Sequence, residues 1–224
     1  MRGLAGFYEC DDSQLIEALV EMAAPRPKGW WEEYRGAMPP TALDLAELEH
    51  PAAYARVFEM VHIPGVLQPG DHARAASLFV APSLPEEDRE TRVAFRMRRQ
   101  HVIALGTPYD VIIHEAALRM RVGGSKIART QLDHLLQASG RESVTIRVIP
   151  FAAEGFAGEG FPLQYVGGVA PQLDTVQIDT PHGAEFIDAT ARLNRYRTLS
   201  ESIDKAALPQ EASLDLIRRI AQDL

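Results

Sequence analysis

The sequence predicts an α+β domain, a small, mostly antiparallel sheet packed by helices, with a short helical segment ahead of it. Three observations lead there. Up to residue 105 the apolar positions fall mainly at helical spacing and are punctuated by prolines. From residue 109 the β-branched residues gather into short runs separated by Gly- and Pro-rich loops. Two helix-periodic stretches then close the chain. Helices come first and strands later, so repeated strand–helix–strand units are not expected.

Residues 13–24 (SQLIEALVEMAA) read as a helix capped by Ser13, with Leu15, Ile16, Leu19, Val20 and Met22 as its apolar stripe and Pro25 and Pro27 as its stop. KGWWEEYRGAMPP follows, with aromatics at 30, 31 and 34. It predicts an irregular anchor, because Trp and Tyr bury a large area while keeping a polar tip. Residues 42–56 look helical with a break at Pro51, residues 57–63 (VFEMVHI) look extended, and Pro64-Gly65 marks a turn. A helix capped by Asp71 runs to about Val80. The longest runs from Glu86 to about Leu105, acids first and arginines later, the order the helix dipole favours. YDVIIHE (109–115) is a strand, 125–138 a helix ended by Gly140, and 143–151, 161–168 and 174–180 are three further strands. Helices at 185–207 and 210–223 complete the chain.

Size and composition narrow the classes. A chain of 224 residues buries about 70% of its unfolded surface and needs no disulfide or metal to fold. Cys10 is the single cysteine, which fits a reducing compartment, and no Cys/His spacing resembles a zinc site. No apolar run reaches the roughly 20 residues of a membrane helix, and the N-terminus turns acidic at once instead of forming a signal peptide. A cytoplasmic protein is expected. Thirty-one acidic against 23 basic residues give a formal charge of −8, which weakens a nucleic-acid reading that would lean on neutralising phosphates.

Several blocks occur in a specific order: KGWW at 28–31, IPGVLQPGDHARA at 63–75, RMRRQ at 96–100, HEAALRMRVGG at 114–124, QLDHLL at 131–136, VTIRVIPF at 144–151 and SLDLIRRIAQDL at the end. Together they resemble the domain of unknown biochemical role that follows the helix-turn-helix in actinobacterial regulators of the lambda-repressor-like (Xre) class. The resemblance covers residues 28–224. Residues 1–27 then correspond to one residual helix of a truncated helix-turn-helix domain plus a linker. The chain departs from the family at His72, where an aromatic is usual.

The resemblance implies an effector- or partner-binding regulatory domain without DNA-reading helices of its own. Its ligand would be a small molecule or peptide, or a small regulatory protein, and it would bind no specific DNA directly. The ligand-binding residues expected are His62, Gln68, His72, Glu115, Arg119 and Phe156. His62 and His72 flank the PGVLQ turn, where two imidazoles can trade protons; a third metal ligand is not apparent, so no metal is expected. Glu115 either pairs with Arg119 and fixes a loop or holds a polar ligand. Phe156 lies in AAEGFAGEG (152–160), a loop fit to act as a lid or a plain connection, and one that lacks the Lys-Ser/Thr of a phosphate-binding loop.

Arg89, Arg92, Arg96 and Arg99 form one stripe on the long helix. It is expected to be a solvated face paired with Glu86, Glu87 and Glu90, or else a partner surface where Val93, Phe95 and Met97 support a homodimer. No cofactor motif is visible. The alternative is a cofactor-free enzyme on the same scaffold, performing acid–base cyclisation or addition on a specialised metabolite or peptide with His72, His62 and Glu115.

Overall fold

The computed structural model describes residues 2–24, 28–155, 161–180 and 182–224. Two helices open it, α1 (Arg2–Phe7) and α2 (Ser13–Met22), where the sequence suggested one. Arg2 pairs with Glu17 at 2.8 Å across them. Asp12 caps α2 in place of Ser13, accepting from the Leu15 N–H at 2.9 Å. The aromatic stretch forms a 3-10 turn at Trp30–Tyr34, followed by α3 (Pro40–Glu49) and β1 (Tyr54–Glu59). Then come a 3-10 turn at Gly65–Leu67, α4 (Gly70–Val80), α5 (Glu86–Arg99), α6 (His101–Ala104) and β2 (Tyr109–His114). α7 (Glu115–Arg119), α8 (Ser125–Ala138), β3 (Val144–Ile149), β4 (Leu163–Gly167), β5 (Thr175–Thr180), β6 (Gly183–Ile187), α9 (Thr190–Ala206) and α10 (Gln210–Gln222) complete the order.

The architecture is α+β around one six-stranded sheet in the order β3-β2-β1-β4-β5-β6. Three of its five pairings are antiparallel, β1–β4, β4–β5 and β5–β6, so the sheet is mostly antiparallel as expected. The other two, β1–β2 and β2–β3, are parallel. Parallel neighbours require a crossover, supplied by α4–α6 and by α7–α8. These strand–helix–strand units correct the expectation that none would occur. They were hidden because the start of β1, Tyr54–Arg56, sits in a stretch rich in alanine that reads as helix. β6 is the second correction: Phe186 and Ile187 fall at helical spacing with Leu193, yet they form a hairpin with β5 through Gly183, whose φ of +119° suits glycine.

Residues paired across strands point to the same face. One such row runs Ile146, Val111, Val57, Gln164, Gln177, Phe186. Its chemistry changes midway. On the parallel half this face is apolar, and Leu132 and Leu135 of α8 with Ile217 and Ile220 of α10 join it in one buried cluster. On the antiparallel half the same face carries glutamines. The opposite face places Phe58, Ile112, Leu163, Tyr165 and Val176 against Leu193 and Ile203 of α9. Arg197 ties that helix down by donating to the Tyr165 hydroxyl at 2.8 Å and to the buried Asp174 at 3.1 Å. The expected aromatic anchor is present: Trp30, Trp31 and Tyr34 cluster with Phe95 of α5 and Leu43 and Ala46 of α3.

Candidate functional site

Over the polar half of the sheet face lies a recess of about 790 Å³. Its floor follows from strand alternation: Glu59 comes two residues after Val57, and Gln164, Gln177 and Asp179 lie on the same side. Its roof is α5 with the turn that begins at Pro64. Arg92, Arg96 and Arg99 line it from α5.

The three arginines differ in their partners. Arg99 donates twice to the buried Glu49, at 2.7 and 2.8 Å, and the same carboxylate accepts from the Gln164 amide at 2.7 Å. That pair is closed. Arg96 donates from Nη1 to Gln68 Oε1 at 2.6 Å, and Gln68 is held in turn by donating to the Ile63 carbonyl at 2.6 Å. Among the described residues no carboxylate comes within 4.0 Å of Arg96 or Arg92. A charge withdrawn from water needs a partner, because its desolvation is otherwise uncompensated.

The protonation states follow from the same geometry. Burial, then the neighbouring carboxylate of Asp179, pushes the Glu59 carboxyl up to about 8, against the relief given by Arg96. Glu59 is therefore mostly protonated at neutral pH. Burial and the adjacent Arg99 draw the Arg96 guanidinium down to about 10, which leaves it charged. Burial first, then the charges of Arg96 and His62, lowers His72 to about 4, so its imidazole is neutral.

The residues singled out from sequence divide. His62 and Gln68 line the recess, His62 exposed and Gln68 buried. His72 is buried on α4, and its Nδ1 has no hydrogen-bond partner among the described residues. Glu115 and Arg119 pair at 2.7 Å away from the recess lining. The second Glu115 oxygen accepts from the Phe151 N–H at 2.8 Å and so pins the chain leaving β3. Phe156 lies outside the described residues.

The arginine stripe is corrected. It faces inward: Arg89 is buried, keeps the expected pairing with Glu86 at 3.3 Å and also reaches Ser77 and the Leu84 carbonyl, while Arg92, Arg96 and Arg99 line the recess. Val93 and Phe95 are buried in the chain's own interior, while Met97 is half-buried. The physical reason is the floor beneath α5, which is polar rather than apolar and draws the charged stripe toward it. Sequence reasoning missed Glu59, Gln164, Gln177 and Asp179. Their signal was present as polar residues in strand positions whose alternation points them inward. Among the described residues no group of three His, Cys, Asp or Glu side chains is placed to hold a metal, and no helix is long and apolar enough to cross a membrane.

Fold and site together define a mixed-sheet α+β domain with a charged, helix-roofed recess. The chain belongs to the family described as a domain of unknown function, DUF5753, whose pattern matches residues 42–219. The match spans all six strands and the whole roof. No curated protein and no solved structure matches the chain.

Proposed function

We propose that this chain is the effector-binding domain of an Xre-class helix-turn-helix regulator of actinobacterial type, acting in the cytoplasm and carrying the response to a ligand rather than reading DNA. The observation that carries this reading is the recess, which Arg96 lines and where, among the described residues, it has no acidic partner of its own. Recesses of this kind, with apolar walls and a few convergent polar groups, are where small molecules bind. The ligand is a small molecule or peptide held against the sheet. A thermal-shift screen of charged metabolites tests the proposal: at least one should raise the melting temperature of the wild type and leave Arg96→Gln unmoved. Nanomolar, sequence-dependent DNA binding in a gel shift at physiological salt would overturn it.

The enzyme reading rests on Glu59. A carboxyl pushed to about 8 inside a cavity is poised for proton transfer near neutral pH. On that reading Glu59, rather than Glu115, is the acid–base group beside His62, and Glu59→Gln should abolish any turnover found with a ligand from the screen.

A further inference from the structure

We infer that the recess binds a zwitterion, with an ammonium group seated between Glu59 and Asp179 and a carboxylate on Arg96 and Arg92. The inference rests on the proposed binding role of the recess and names the ligand's chemistry. Acids and bases stand on different walls of one cavity. Glu59 and Asp179 belong to the floor, on β1 and β5 with β4 between them, which sets their backbones about 10 Å apart. Arg92 and Arg96 come down from α5. Asp179 already holds the Gln177 amide at 2.7 Å, which orients its carboxylate on the floor. Neither Glu59 nor Asp179 has an arginine or lysine within 4.0 Å among the described residues, although both lie in the same recess as Arg96. The charges are near enough to influence one another and too far apart to pair. A ligand carrying both signs satisfies both walls at once, whereas a simple anion leaves the two acids facing each other.

Between those walls the lining includes the apolar side chains of Leu45 and Val57, which suits an aliphatic or aromatic side chain on the ligand. The class is therefore an apolar α-amino acid or a short peptide with free termini.

The raised Glu59 supplies an independent readout. The titratable groups around it are Asp179 from β5, Arg92, Arg96 and the Glu49-paired Arg99 from α5, Tyr109 from β2, and His62 from the segment after β1. An ammonium arriving between the acids favours the ionised Glu59, so binding at pH 7 should release a proton. Titration calorimetry of the full chain in buffers of different ionisation enthalpy measures this. The probes are L-phenylalanine, L-leucyl-L-phenylalanine, 3-phenylpropionate without the amine, and 2-phenylethylamine without the carboxylate.

One of the two zwitterions should bind at least tenfold tighter than both singly charged probes and release up to one proton. Free amino acid above dipeptide identifies a metabolite, and the reverse order identifies a peptide. Glu59→Gln should abolish the proton release and weaken binding tenfold or more, and Arg96→Gln should weaken it comparably while the far-UV spectrum stays unchanged. If 3-phenylpropionate binds as tightly as the zwitterions, the site takes plain anions and the inference falls, although the binding role of the recess stands. If no probe binds at millimolar concentration, the inference also falls. The binding role itself fails only if the wider screen finds no Arg96-dependent ligand.

Discussion

The two halves of one sheet face solve opposite problems. On the parallel half Val111, Ile113, Ile146 and Val148 meet α8 and α10 and are fully buried. On the antiparallel half Glu59, Gln164 and Gln177 meet the arginines of α5 across a cavity. The first half is filled for stability, since a close-packed interior leaves no void. The second keeps charges out of bulk water without pairing all of them, which is the arrangement of a site rather than of a core. The difference teaches that this face is divided at β1, which packs through Val57 and opens into the recess through Glu59.

Substitutions can break that division or sharpen it. The largest effect is expected at its border. Glu49→Ala strips Arg99 of its buried partner and frees the Gln164 amide, which should cost about 3–5 kcal/mol in urea unfolding. Leu135→Ala in the filled half should cost about 2–5 kcal/mol, with no pH dependence, because only apolar contacts are lost.

Next in size is His72. Its folded value near 4 lies below the ordinary 6.5, so the neutral ring contributes stability above 6.5 that is lost as pH falls toward 4. His72→Phe should remain folded and show a shallower loss of stability over that window, measured by denaturation from pH 7 to 4. Equal slopes would show that His72 is hydrated in the native state.

The last effect concerns Glu59, where the sign reverses. A carboxyl raised to about 8 stabilises the fold while protonated, fully so below its ordinary value of 4.5 and progressively less as pH rises to about 8. Glu59→Gln should therefore gain stability relative to wild type between about pH 5 and pH 8. A constant difference across that range would mean that Glu59 faces open solvent.

Much of the filled half was legible from sequence, because β-branched runs such as YDVIIHE and VTIRVIPF announce buried strands by themselves. The aromatic anchor was legible too, since Trp30, Trp31 and Tyr34 had to bury their rings somewhere. The site was read only in part. His62 and Gln68 line the recess, but Glu59 looked like the polar beat of an ordinary alternating strand, and only the pairing of β1 with β4 shows that its side faces a cavity. The arginine stripe misled for a related reason. Spacing reveals that four arginines share a helix face and is silent about what lies beneath it. Nearby acids supplied a plausible solvent-side explanation that holds for Arg89, which pairs with Glu86, while Arg99 and Arg96 find Glu49, some fifty positions earlier in the chain, and Gln68.

One adjacency in α5 couples distant parts of the chain. Phe95 sits among Trp30 and Tyr34, and Arg98 lies over the Trp30 ring at 5.2 Å and pairs with Glu33. Arg96, between them in sequence, looks the other way into the cavity. A single helical turn thus grips the Trp30–Tyr34 segment with one side and lines the recess with the other. Any rotation of that turn that improves the hold on an occupant must also shift the rings on which the segment rests, so the two events share one lever arm.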